Sequence, residues 1–214
     1  MSDWSEFYEN RTGNAGYFEY FKKRYAPMIE VLSQMIFTVD ELCQEEGVPL
    51  TVVEQGCGLG NMTMALMDEG MQRHRSQPMG MWGLRDKDLA MLSACALHFK
   101  TLNRHYRDVV NIDEDDILQI RSRGQIMHSH GVLEHFSQPE ISRIMGLMKT
   151  YSLGMVHYVP TDKYKVPSFG DENLWSVDKW VRLCRPDWVE TFNDGHDLMM
   201  VWDRRIPEPI ELPF

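Results

Sequence analysis

No apolar run in this chain approaches the ~20 residues needed to cross a bilayer, so no membrane-spanning helix is expected. The opening MSDWSEFYEN is acidic and aromatic and has no basic stretch leading into an apolar one. A secretory signal peptide is therefore not expected. Cysteine is sparse: Cys43, Cys57, Cys95 and Cys184 lie far apart and form no C-x-x-C pair. That argues against a zinc knuckle or a disulfide framework and fits the reducing cytoplasm. Basic residues are in the minority, 22 against 32 acidic, for a net charge of -10. An acidic surface repels phosphate backbones, which disfavours a large nucleic-acid partner. Two short basic clusters, Arg73-His74-Arg75 and Arg121-Ser122-Arg123, read first as solvated surface. What is present suits one large globular domain: 214 residues, 43% of them hydrophobic.

Periodicity divides the chain into alternating elements. Tyr17, Phe18, Phe21, Met28, Val31, Leu32, Met35 and Ile36 recur at spacings of three and four, predicting helix from Gly16 to Glu46. Pro27 suits the first turn of a second helix within it, and Gly47-Val48-Pro49 stops it. Strands are expected at 50–53, 79–84, 109–112, 125–129 and 153–159, each β-branched or apolar. Helices are expected at 61–69, 88–100, 138–151 and 177–184, with a polar loop at 71–78 and a long loop at 160–175. Residues 188–192 and 198–202 read as a closing strand pair. Strand–helix alternation implies a mostly parallel sheet with helices on both faces. Ligands of such sheets bind beyond the carboxyl ends of the strands, here near 54–61, 85–88, 113–117, 128–135 and 157–162.

The segment Val52-Val53-Glu54-Gln55-Gly56-Cys57-Gly58-Leu59-Gly60-Asn61 places an acid at a strand end, then G-x-G-x-G, then a helix start. Glycine accepts positive φ and lets a ligand approach the main chain. The helix start adds free N–H groups that suit a carboxylate or phosphate. The dinucleotide fingerprint would need a third glycine at position 61, which is Asn, and the G-K-[ST] of a P-loop is absent.

Here the chain resembles the class I S-adenosylmethionine-dependent methyltransferases, whose first motif is an apolar strand, an acid and G-x-G-x-G, matched at Glu54, Gly56, Gly58 and Gly60. Trp82 to Leu92 looks like the second motif, where an acid accepts the ribose hydroxyls. Arg85 stands directly after Gly83-Leu84, leaving Asp86 and Asp88 as the candidates, Asp88 being also a natural helix cap. Asp113 to Leu118 looks like the third motif, in which Asp116 would meet the adenine amine and Ile117 would cover the ring. Asp113 and Glu114 read as solvated. Gly131-Val132-Leu133-Glu134-His135-Phe136 matches a further common motif, with Gln125 in place of the usual aspartate at the start of its strand. The resemblance spans about residues 50–160. It implies a Rossmann-like α/β fold: a mostly parallel seven-stranded sheet flanked by helices, with an antiparallel C-terminal strand pair. It also implies S-adenosyl-L-methionine as cofactor, held by Glu54, Gly56, Cys57, Gly58, Gly60, Asn61, Asp86, Asp88, Asp116, Ile117 and His130. The organisation expected is a helical lead-in and lid at 1–48, the cofactor-binding domain at 49–206 and a surface tail at 207–214.

Methyl transfer from a sulfonium is an in-line displacement that needs no metal. Positioning alone can lower its barrier by roughly 7–11 kcal/mol. An oxygen or nitrogen nucleophile can need a base, and histidine is the default near neutral pH. His130, His135 and His157 are the candidates for base or substrate contact. His128 and His130 share a strand face, but no H-x-x-x-H helix accompanies them and no metal is expected. Met62, Met64 and Met67 read as core packing. Trp4, Phe7, Tyr8, Tyr17 and Tyr20 are lid candidates, and Tyr164, Phe169 and Trp175 candidate pocket walls. The expected partner is a small-molecule methyl acceptor, with oligomeric state open. Two alternatives stand beside it. One is a non-catalytic cofactor-binding subunit. The other is a nucleic-acid or protein methyltransferase with a basic groove built from Arg104, Arg107, Arg121 and Arg123.

Overall fold

The computed structural model describes residues 8–74, 80–102, 109–165 and 171–204. Seven strands form one sheet: β1 (Thr51–Gln55), β2 (Met81–Asp86), β3 (Val110–Glu114), β4 (Ile126–His130), β5 (Gly154–Pro160), β6 (Trp188–Phe192) and β7 (Asp197–Asp203). Their order is β3-β2-β1-β4-β5-β7-β6. β1 to β5 pair in parallel, and β7 runs antiparallel to both β5 and β6. This is the expected Rossmann-like sheet with its antiparallel closing pair. The order reverses between β1, which also pairs β2, and β4, so a crevice opens at the carboxyl ends of these strands.

The helices are α1 (Ala15–Arg24), α2 (Ala26–Glu46), α3 (Asn61–His74), α4 (Leu89–Leu102), α5 (Gln138–Tyr151) and α6 (Val177–Cys184). Asn14 caps α1 by accepting from the Tyr17 amide at 3.0 Å. The helical stretch of the lead-in breaks at Tyr25, and Pro27 falls in the first turn of α2. Gly47 ends α2 in the left-handed conformation, φ 69°. A Ser137–Glu140 capping box starts α5. The expected loop at 71–78 begins later than predicted, because α3 continues to His74.

Side chains alternate across the sheet, and each face has its own core. On one face Val52, Ile126, Val156, Tyr158 and Val201 pack under α1 to α4, with Met28, Leu32, Met62, Cys95 and Phe99. Met62, Met64 and Met67 are fully buried there. On the other face Val53, Met127, Met155, Met200 and Trp202 pack under α5 and α6, with Ile144, Met148 and Trp180. Among the described residues no helix is long and apolar enough to cross a membrane.

Candidate functional site

Between β1 and α3 the chain turns through Gly56, Gly58 and Gly60, with φ of 64°, 51° and 72°. A Cβ on Gly56 would lie 2.6 Å from Val132, and one on Gly60 would lie 2.4 Å from Leu84 and 2.6 Å from Phe99. One on Gly58 would lie 3.2 Å from the Tyr8 hydroxyl. Gly56 and Gly60 are thus demanded by packing as well as conformation, and Gly58 lies beneath Tyr8. Glu54, at the end of β1, accepts from the Thr63 amide at 3.1 Å and its hydroxyl at 2.6 Å, capping α3. Burial pushes this carboxyl up to about 7, against the lowering effect of the Thr63 bonds.

Two adjoining cavities flank this bend and share Tyr8, Gly56, His130, Gly131 and His135. The first, of about 350 Å³, is walled by Gly58, Asp86, Asp88, Met91, Asp115 and Ile117. Asp86 Oδ2 accepts from the Gly58 amide at 3.2 Å and its Oδ1 from the Asp88 amide at 3.0 Å. Burial raises the Asp86 carboxyl, opposed by these amides. Asp88 lines the wall and also caps α4, accepting from Ala90 and Met91. Arg85 turns away, donating to Ser122 Oγ at 2.8 Å and to the Asn111 carbonyl at 3.0 Å.

Asp116 lies outside both linings. Its carboxylate caps the 3-10 turn Ile117–Gln119, accepting from the Leu118 amide at 2.9 Å. The acid that lines the cavity is its buried neighbour Asp115, which accepts from Ser122 Oγ at 3.1 Å. Asp113 and Glu114 are exposed.

The second cavity, of about 370 Å³, is walled by Glu54, Cys57, Asn61, Glu134, Tyr158 and Tyr164 together with Arg11, Tyr17, Tyr20, Arg24 and Tyr25 of the lead-in. A hydrogen bond with Cys95, then burial, holds the Cys57 thiol well above its usual range, which favours the protonated thiol. His130 stacks on Tyr158 at 4.5 Å and meets Tyr25 edge-on at 4.1 Å. Burial pushes His130 down to about 3, so the ring is neutral. Glu134 is buried and pushed up to about 8. His135, which lines both cavities, has its Nδ1 2.9 Å from Oδ1 of Asp171, which lines the first.

His157 lies elsewhere. It is fully buried on the α5 and α6 face, 2.7 Å from Ser129 Oγ and edge-on to Trp202. In the β4–β5 register His130 pairs Tyr158, so the neighbouring Ser129–His157 pair must point to the opposite face. Burial pushes His157 down to about 3.

Of the lid candidates, Tyr8, Tyr17 and Tyr20 line the second cavity, while Trp4 and Phe7 lie outside the described residues. Of the wall candidates, Tyr164 lines it and Trp175 packs on Trp180, while Phe169 lies outside the described residues. Arg123 lies over Tyr151 at the end of α5 and is absent from both linings, as is Arg121. Arg104 and Arg107 lie outside the described residues.

Sequence reasoning passed over a network at the far wall. Asp197, at the start of β7 and fully buried, accepts from Tyr158 at 2.9 Å, Tyr164 at 2.7 Å, Arg24 at 3.0 Å and Asn193. It also passed over His98, buried in α4 between Gly13 and Asn61. The only local signal was a polar residue set against the Leu92, Cys95 and Phe99 face of that helix.

No protein-family profile matches the chain, and no curated protein matches it. Solved structures do. The PH0226 protein from Pyrococcus horikoshii OT3 superposes over 95% of this chain and 99% of its own, with TM-score 0.65 and 12% identity. An O-methyltransferase family protein from Burkholderia thailandensis superposes over 92% of this chain and 62% of its own, with TM-score 0.59 and 16% identity. Magnesium protoporphyrin IX methyltransferase (ChlM) from Synechocystis PCC 6803, with bound SAH, superposes over 92% of this chain and 98% of its own, with TM-score 0.53 and 11% identity. At these identities the likeness shows a shared fold.

Proposed function

We propose that the chain is an S-adenosylmethionine-dependent methyltransferase that methylates an oxygen or nitrogen atom of a small-molecule acceptor. The observation that carries this reading is the bend at Gly56, Gly58 and Gly60, three left-handed glycines set between a buried acid and a helix start. The fold it shares with named methyltransferases, one of them with bound SAH, agrees with it.

The residues present fit the cofactor. Asp86 at the end of β2 would take the ribose hydroxyls, and Ile117 and Met91 offer apolar walls to the adenine. Asp115 is the acid placed beside that wall. Gly56, Gly58 and Asn61 would hold the amino-acid end against the start of α3. When bound, the cofactor supplies a methyl group made electrophilic by its positive sulfur.

The remaining work falls to side chains. The tyrosines of the lead-in and the loop after β5 wall the second cavity and exclude water. Asp171 Oδ1 lies 2.9 Å from His135 Nδ1, close enough to orient the imidazole, and His135 lines both cavities. His135 is therefore the base assigned to the acceptor's proton, with Asp171 orienting it. The neutral, enclosed His130 shapes the wall.

Calorimetry with S-adenosylmethionine and S-adenosylhomocysteine tests the reading. Wild type is expected to bind at roughly micromolar Kd, about 8 kcal/mol. Gly58→Val, which places a branched side chain under Tyr8 at positive φ, is expected to abolish binding while circular dichroism stays native. Wild-type protein that binds neither compound would refute the proposal. Binding without release of S-adenosylhomocysteine from any acceptor would favour the non-catalytic subunit. Salt-sensitive RNA or DNA binding would favour a nucleic-acid substrate.

A further inference from the structure

We infer that the Asn61 side chain donates a hydrogen bond to the carboxylate of the bound amino-acid nucleoside, and that His98 is the positioning residue that fixes it in that role. The inference rests on the cofactor reading above.

The orientation follows from hydrogen-bond bookkeeping. The Gly13 amide can only donate, and it points at His98 Nδ1 over 2.8 Å. Nδ1 must therefore carry the lone pair. Burial pushes His98 down to about 4, so the ring is neutral and its one proton sits on Nε2. Nε2 lies 3.0 Å from Asn61 Oδ1, which accepts that proton. The oxygen of the Asn61 amide is thus held toward α4, and its NH₂ group is turned away from His98.

Asn61 opens α3 directly after Gly60 and lines the larger cavity. The residue is only 6% exposed, and its one side-chain hydrogen bond among the described residues is the one its oxygen accepts from His98. An amide donor that lines a cavity at a helix start suits an anionic acceptor, and a carboxylate is the natural match. The other acid that reaches this helix start, Glu54, is already engaged by Thr63. His98 thereby also links the Gly13 turn, just ahead of α1, to the floor of the cofactor loop.

The test compares two ligands. S-adenosylhomocysteine carries the amino-acid carboxylate, and 5'-methylthioadenosine shares the nucleoside but lacks it. Calorimetry on wild type, Asn61→Asp, His98→Phe and His98→Gln reads both affinities. Asn61→Asp still accepts from His98 but offers the ligand a like charge. His98→Phe removes both bonds, whereas His98→Gln carries an acceptor and a donor. The expected result is a loss of tenfold or more for S-adenosylhomocysteine in Asn61→Asp and His98→Phe. Methylthioadenosine affinity is expected to stay unchanged, and His98→Gln to recover part of the loss. Equal losses for both ligands would reduce His98 to a structural role and overturn the inference. Unchanged affinity for S-adenosylhomocysteine in Asn61→Asp would do the same, and that variant decides the matter if His98→Phe does not fold. Failure of wild type to bind either ligand would instead sink the cofactor reading on which this one stands.

Discussion

Asp86 takes one amide proton from the glycine bend and one from the turn into α4, and it still faces the cavity. Its charge therefore serves two amides and, in the proposed reading, a ligand. Asp86→Asn keeps the shape and removes the charge. It is expected to weaken S-adenosylhomocysteine and methylthioadenosine alike, by about tenfold, since charge-assisted bonds exceed neutral ones by roughly 1–2 kcal/mol. Asp116 provides the contrast. As a cap it is expected to cost about 1 kcal/mol of stability when changed to Ala, with cofactor affinity unmoved. A thermal melt beside a titration separates the two effects. The difference between Asp115 and Asp116 illustrates what local sequence conceals. Both sit in one acidic run just past β3, where the Asp115 amide bonds to the Asp86 carbonyl and Asp116 caps the following 3-10 turn. Glu54 and the three glycines were legible because a bend with this backbone admits few residue types. His98, Asp171 and Asp197 were not, because, Asn193 apart, the partners described lie 33 to 173 residues away.

At the scale of elements, the strand and helix periods placed the strands and helices, most ends falling within about two residues of those observed, since each element buries one face. How the lead-in docks was invisible to them. Helix α1 lies over the second cavity and is tied there by Arg24, whose guanidinium meets Asp197 at the start of β7. The Asp197 side chain is fully enclosed while that of Arg24 is 27% exposed, so the pair is lopsided. Removing the arginine strands a carboxylate among neutral donors. Arg24→Met is expected to cost about 3 kcal/mol, the lower end for a broken buried pair because Arg24 is partly solvated. For a domain of this size that is a fall of roughly 6–12 °C in Tm. Asp197→Asn should cost less, and the double variant less than the two costs added. Gln125 is an element-scale finding too. Where the resembled family commonly has aspartate, its side-chain oxygen accepts from the Thr51 amide at 2.6 Å, so β1 and β4 stay joined at their amino ends.

For the whole molecule, buried titratable groups of both kinds set opposite slopes on stability against pH. His98 is pushed down to about 4, and His128, His130 and His157 to about 3, each by burial. Among the described residues neither ring nitrogen of His128 has a protein partner to offset that enclosure. Between these values and the ordinary ~6.5 of an unfolded histidine, the unfolded chain binds more protons than the folded one. Stability therefore falls as pH drops through that window. Glu54 and Glu134 act in reverse. Burial pushes them up to about 7 and about 8, so the folded chain binds the extra protons above an unfolded value near 4.3. Their contribution falls as pH rises through 5 to 8. Four histidines outweigh two glutamates below about pH 6, and the glutamates prevail above about pH 7. Thermal melts across pH 4 to 9 should therefore show a maximum near pH 6.5, steep on the acid side and shallow on the alkaline side. Glu134→Gln is expected to flatten the alkaline limb and leave the acid limb in place. A melting temperature that climbs steadily from pH 6.5 to 9 in wild type would mean these carboxyls are ionised in the folded protein. The cavity would then carry the negative charge that a sulfonium ligand attracts, and S-adenosylmethionine would bind more tightly than S-adenosylhomocysteine, whose sulfur is neutral, throughout that range.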